Sequence, residues 1–455
     1  MTKQNWKRRS LCLLLCVVSL FFLTAIPVSA SAEENPLPSM QEASAVYFYH
    51  IESDRIIGTK NESAQISAGT SVKIMSGLLF CEALKGRMSE AIVVTAPMLE
   101  GLQGWGHRLG LQEGDVITIE QLLYGSVCGS YNDAFYILAH TVSGSLSAFV
   151  EQMNARGRAM GLESTYFTDP AGLDNGSVTT AEDIAKLSLI AYENPLYLKL
   201  CGTGKYTLMP DYLPQRVHTI YNRNAMIASQ TTNAYYNKDC IGMSAGSVKS
   251  GEQSVVALAR RDGETYLCVI LGALETENAE YGYVVANRLF KWAFQNYTYR
   301  EVISAQKAVC TLPITVSDLT SEVEVCTHDS LSAYLPKGAE NQVEYSIRLM
   351  YTELEAPVEA GTHVGYVAVI YQGRVLGTLP LYTAEGAERS SIISSLKAIR
   401  ALTSSRPVLA GLIFFVVAIA AWITVETLIT VRRRHKWDKY FSQKIELPPD
   451  MMRRR

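Results

Sequence analysis

Apolar residues follow three different rhythms along this chain, and each predicts a different kind of element. An unbroken apolar run, Leu11 to Val28, follows Lys3, Lys7, Arg8 and Arg9 and closes on Pro27 and the small residues Ala30-Ser31-Ala32. That is the build of a cleaved secretory signal over residues 1–32. A second run, Pro407 to Val431, carries one charge, Glu426, and is long enough for the ~30 Å hydrocarbon core, which predicts a transmembrane helix over 407–431. Arg432, Arg433, Arg434, Lys436 and Lys439 follow at once, so the tail 432–455 is expected in the cytoplasm and residues 33–406 on the extracellular side of the cell membrane. The second rhythm is helical. Ile392, Ile393, Leu396, Ile399 and Leu402 recur at helical spacing before the span and predict a stalk or surface amphipathic helix over 385–406.

Residues 33–300 mix helical spacing with the third rhythm, strand-like alternation. Strand-like Val46 to Ile51, helix-like Val72 to Leu84, a helix from Asn132, and a strand pair Val255 to Arg260 and Tyr266 to Leu271 around Asp262-Gly263 predict an α+β domain. Over 301–384 only alternation remains: Ile314 to Ser317, Glu322 to Cys326, Val343 to Met350, Val364 to Tyr371 and Arg374 to Leu381, with turns such as Gln372-Gly373. A small all-β domain is expected there.

Composition sharpens this picture. Of 455 residues, 48% are hydrophobic and 19% charged, a charge deficit that the apolar runs help to explain. The sum of 41 basic and 44 acidic residues, net −3, removes the electrostatic footprint of a nucleic-acid binder. The seven histidines show no metal-ligand spacing and there is no Cys-x-x-Cys, so neither a metal nor another cofactor is expected. Seven of the nine cysteines lie beyond the signal, an odd number; Cys310 and Cys326 bracket two strand-like runs and either pair or stay free.

Three segments carry chemistry. Gly69-Thr70-Ser71-Val72-Lys73 opens one apolar helix, and Ser130-Tyr131-Asn132 opens another. Gly242-Met243-Ser244-Ala245-Gly246 leads into the strand of Val255. Taken singly, each has an ordinary explanation: Lys73 as a surface lysine, Ser130 and Asn132 as helix caps.

In this order the three segments resemble the S-x-x-K, S-x-N and K-T-G marks of the D-alanyl-D-alanine carboxypeptidases. These are low-molecular-weight penicillin-binding proteins, serine peptidases of the S11 type. The resemblance runs on through Glu120 to Gly125, Phe149 to Asn154, Pro170-Ala171-Gly172-Leu173-Asp174, Thr180 to Ile184 and Asn222-Arg223-Asn224. It implies a penicillin-binding/β-lactamase-like transpeptidase domain, then a β-rich domain and a membrane helix. It also implies peptidoglycan stem peptide as partner and binding of β-lactams, here weakly if at all.

The expected roles are Thr70 at the nucleophile position, Lys73 as general base, Ser130 as proton relay, and Asn132, Ser244, Ala245 and Gly246 in substrate binding. Two motifs depart from the family. Counting back three from Lys73 gives Thr70, not serine, and its methyl group restricts χ1 and crowds an approach of about 3 to 3.5 Å. Ser71 points roughly 200° around the helix from Lys73 and is no substitute. Ser244 and Ala245 stand where the family has lysine and threonine. Lys249-Ser250-Gly251 spells a displaced K-S-G, five residues on and therefore on the opposite face of an extended strand. Two functions follow: a D-Ala-D-Ala carboxypeptidase of weak or altered activity, or an inactive relative that binds cell-wall peptide or a wall-synthesis partner.

Overall fold

The computed structural model describes residues 36–102, 106–174, 176–208, 219–227, 234–247, 251–317, 320–404 and 406–442. The expected signal over 1–32 and Lys249 and Ser250 lie outside them. Contacts divide the chain into two units, one running to Arg300 and including Tyr334–Ala339, the other holding Glu301–Ala333 and the chain from Glu340 onward.

The first unit is built on one antiparallel sheet. Its strands are β1 (Ala45–His50) and β2 (Arg55–Lys60), then β3 (Cys240–Gly242), β4 (Ala245–Ser247), β5 (Glu252–Arg261) and β6 (Glu264–Leu274). They lie in the order β4-β5-β6-β1-β2, with β3 also on β5. Alternation along β5 and β6 is apolar on both faces. Val256, Leu258, Leu267 and Val269 enter one core, while Val255, Ala257, Cys268 and Ile270 enter the other. A sheet with two buried faces must be covered on both. On the first face the cover is helical, led by Val72–Leu84 and Asn132–Ser143; on the second it is the helix Tyr281–Asn296, through Val285, Leu289, Phe290 and Ala293.

The helix Val72–Leu84, α1, sits where the sequence predicts and is buried nearly all round. A helix apolar on every side belongs inside a domain, so the one cation in its first turn is carried into the interior. Asp262 and Gly263, at φ of 53° and 86°, make the β5–β6 reversal that their sequence signals.

The second unit holds a six-stranded sheet of β7 (Ala308–Thr315), β8 (Glu322–Cys326), β9 (Val343–Leu349), β10 (Leu354–Glu355), β11 (His363–Tyr371) and β12 (Arg374–Thr383). The expected strand Ile314 to Ser317 is the end of β7, which starts six residues earlier and stops before Val316 at φ 65°. Cys310 and Cys326 are both free. A bulge sets Cys310 opposite Val325 and Cys326 opposite Ala308, so the two thiols fall on different faces of the pair. Helices follow at Ser391–Ser404 and Arg406–Ser442; Leu409–Lys439 is long and apolar enough to cross a membrane.

Candidate active site

Thr70 lies in a single 3₁₀ turn, Gly69–Ser71, that feeds directly into α1. One turn on, Lys73 is 6% exposed, which excludes a surface lysine. Its amine donates to Ser130 O at 2.9 Å, Ser130 Oγ at 2.8 Å and Asn132 Oδ1 at 2.8 Å. Burial pushes its pKa down to about 7, helped by the Arg223 charge and opposed by Asp169 and Asp133. Near neutral pH this amine exists partly as the free base, the form that can accept a proton.

The second segment is placed by unusual backbone. The chain from Tyr124 to Cys128 turns in a wide coil, with Gly129 N donating to Tyr124 O at 2.9 Å, and Ser130 then adopts φ 58°. A left-handed serine carries strain of order 1 kcal/mol or more, and wide turns of this kind cluster at functional sites. Here the turn aims Ser130 Oγ at Lys73. Capping does not explain these residues: Tyr131 is the N-cap of the helix Asn132–Ser143, α2, and it makes no side-chain cap bond.

Two residues missed from the sequence hold the loops around this pair. Asp133 accepts from the backbone N–H of Leu109, Gly110 and Leu111 at 3.0, 2.8 and 3.1 Å, and Asn132 N donates to His107 O at 2.8 Å. Together they fix the loop that carries His107 into the site. Asp169 accepts from Ala171, Leu173 and Asp174 and shapes the turn whose Gly172, at φ 70°, lies against Gly69 and Thr70. Tyr131 is buried, its ring stacked on His107 at 4.2 Å.

The third segment forms β4, antiparallel to β5, with Gly246 opposite Ser254. Gly246 faces the first motif. Thr70 Oγ1 donates to Gly246 O at 3.2 Å, and a Cβ on Gly246 would stand 2.9 Å from Thr70 Cγ2. Ala245 is buried in the second core.

The groove has a volume of about 210 Å³ and is lined by Thr70, Lys73, His107, Ser130, Asn132, Leu173, Arg223, Gly246 and Ser247, with Gly106, Ala171 and Gly172. Ser244 and Ala245 line a second, nearly closed void behind it, shared with Lys73, Ser130 and Arg223. The structure thus gathers Thr70, Lys73, Ser130, Asn132 and Gly246 at one groove and sets Ser244 and Ala245 behind them. Among the described residues no cluster of three His, Cys, Asp or Glu stands ready for a metal.

Comparison with known proteins meets this geometry from the other side. Residues 30–275 match the family described as D-alanyl-D-alanine carboxypeptidase, and residues 297–389 match the C-terminal domain of penicillin-binding protein 5. The chain is 25% identical over 393 residues to D-alanyl-D-alanine carboxypeptidase DacF of Bacillus subtilis, covering 84% of this chain and 95% of that protein. It is similarly 25% identical over 381 residues to DacC of Escherichia coli, covering 81% and 90%. Among solved structures, penicillin binding protein 5 from Haemophilus influenzae superposes with a TM-score of 0.57 at 21% identity, over 78% of this chain and all of that one. The first of these matches spans more than half of the sequence, and the chain belongs to the D-alanyl-D-alanine carboxypeptidase family.

Proposed function

We propose that this chain is a membrane-anchored D-Ala-D-Ala carboxypeptidase of weak or altered activity, acting on peptidoglycan stem peptides at the outer face of the cell membrane. The observation that carries the reading is the buried Lys73 amine, 2.8 Å from Ser130 Oγ and lining the same groove as Thr70. In this mechanism Thr70 Oγ1 attacks the carbonyl of the penultimate D-alanine and Lys73 takes the hydroxyl proton. Ser130 passes a proton to the departing amine of the terminal D-alanine, and water then opens the ester. Asn132 and the strand edge at Gly246 hold the peptide.

One observation favours the inactive alternative, in which the groove binds cell-wall peptide or a wall-synthesis partner. The Thr70 hydroxyl donates to Gly246 O, and Lys73 spends its hydrogen bonds on Ser130 and Asn132. Attack therefore requires Thr70 to leave that carbonyl. Slow labelling by a fluorescent penicillin, mapped to Thr70 by mass spectrometry, supports turnover. No labelling, with retained binding of a D-Ala-D-Ala peptide, supports the binding role.

The topology belongs to the same proposal: a signal over 1–32, a carboxypeptidase-like domain over 33–300, a β-rich domain over 301–384, a helix at 385–406, a membrane span over 407–431 and a cytoplasmic tail over 432–455. The apolar helix ahead of the Arg432 cluster supports it. Protease added to intact cells digests the exterior part and spares a tag after Arg455; loss of the tag reverses the orientation.

A further inference from the structure

We infer that the free edge of β9 pairs antiparallel with the same edge of a second copy of this chain, about a two-fold axis at Ser346. The surface lies wholly in the β-rich unit and is independent of the peptide reading above.

The six strands of that unit lie in the order β9-β11-β12-β8-β7-β10, which makes β9 an edge strand, and among the described residues only β11 pairs with it. Its outer N–H and C=O groups are therefore a template for another strand. Such edges are commonly blunted by brevity, proline or a bulge. β9 runs for 7 residues, Val343-Glu344-Tyr345-Ser346-Ile347-Arg348-Leu349, without proline and in unbroken register against β11.

The core face of the sheet continues uncovered onto this edge. Tyr345 stands opposite Val369 and Ile347 opposite Val367, and both valines are fully buried, whereas Tyr345, Ile347 and Leu349 remain 50%, 38% and 37% exposed. Tyr345 and Ile347 also line an open cavity of about 430 Å³ with Val302, Ile303, Ala308 and Val309. Tyr345 Oη donates to Val302 O at 2.9 Å, which holds the ring at that cavity.

The order of side chains identifies the occupant. A two-fold axis perpendicular to the sheet keeps the apolar face on one side, so each residue must oppose one that points to its own face. With Ser346 on the axis, Val343 opposes the partner's Leu349 and Tyr345 opposes the partner's Ile347, apolar on apolar along the whole face. On the other face the exposed Glu344 opposes the partner's Arg348, and the axis repeats that pair at both ends. Moving the axis to Tyr345 or Ile347 sets Ser346 against Glu344 or Arg348, and moving it to Glu344 or Arg348 sets like charge on like. Of these registers only the one on Ser346 matches opposite charges, which favour a cross-strand pairing that like charges oppose. A strand complementary to itself in both apolar order and charge fits a second copy.

The test is disulfide cross-linking of the full-length chain in isolated membranes, read on a non-reducing gel. Directly opposite Cα atoms in an antiparallel pair lie about 4.5–5.5 Å apart, within reach of a disulfide. Ser346→Cys, oxidised with copper phenanthroline, is expected to give a band of twice the chain mass at about tenfold the level of the parent, whose own cysteines set the background. Adding Glu344→Arg, which turns both charge pairs into like pairs, cuts that band about tenfold, and adding Arg348→Glu to it brings the band back. A Ser346→Cys band no stronger than the parent's overturns the pairing. A strong band indifferent to both charge changes overturns the register and with it the case for a second copy, as does a cross-linked product whose mass shows a different protein.

Discussion

The two walls of the groove have diverged unequally. On the helical wall, Lys73, Ser130 and Asn132 form a closed set in which every amine hydrogen bond has a partner at 2.8 to 2.9 Å. On the strand wall, Ala245 sinks into the core and Ser244 faces a small void, while only Gly246 still meets Thr70. The difference has a physical cause. A buried lysine among three acceptors cannot be lost singly, because each loss leaves unpaired polar atoms worth about 1–3 kcal/mol apiece. The strand wall holds no such set, so a side chain there can be exchanged at less structural cost. Stability thus protects the proton-relay wall more than it protects the strand wall.

Repairing the strand wall together with the nucleophile position at the start of the helical wall should have the largest effect. Thr70→Ser combined with Ser244→Lys and Ala245→Thr should raise penicillin acylation and D-alanine release by about 10³-fold or more, since nucleophile and charge-assisted contacts each carry several kcal/mol. Rate measurement on diacetyl-lysyl-D-alanyl-D-alanine checks it. A folded triple variant that stays silent would break the comparison, because the intact wall would then be no more competent than the other.

A second test probes the intact wall through pH. Lys73 must be unprotonated to act as base, and burial with the Arg223 charge holds its pKa near 7. Slow labelling of Thr70→Ser should therefore rise about tenfold between pH 6 and pH 8 and then level off. The sign follows from removing a neighbouring cation: Arg223→Ala moves the midpoint upward. A flat profile would mean that Lys73 is not the base.

The sequence and the structure agree where one residue's environment is set locally. The span Val72–Leu84 is legible because its apolar residues leave no polar face, and the Asp262-Gly263 turn because positive φ favours those residues. Lys73 and Ser130 are legible as spaced motifs. Asp133 is not, because the backbone N–H groups it accepts from, those of Leu109, Gly110 and Leu111, are brought to it from a loop more than twenty positions away in sequence. Cys310 and Cys326 fail for the opposite reason, since one bulge, invisible in spacing, changes which face each thiol takes.

A third, smaller effect belongs to the loop that roofs the intact wall. Asp133→Asn keeps size but replaces an ionised acceptor of three backbone N–H groups, Leu109, Gly110 and Leu111. Charge-assisted bonds weaken on neutralisation, so thermal or urea unfolding should show a loss of about 1–3 kcal/mol. Peptide binding should weaken with it, because His107 rides on that loop.

The smallest effect should come from Ser71, the serine closest in sequence to the missing nucleophile. Its hydroxyl donates to Ala68 O within its own turn, it is buried, and it is absent from the groove lining. Two positions before Lys73, it projects from the far side of the helix start, where no substrate carbonyl can reach it. Ser71→Ala removes one local hydrogen bond and should cost no more than about 1 kcal/mol in an unfolding titration. Penicillin labelling and peptide affinity should match the parent. A labelled peptide that maps to Ser71, or labelling that vanishes in Ser71→Ala, would move the nucleophile off Thr70 and require the first turn of α1 to rewind by two residues on ligand binding.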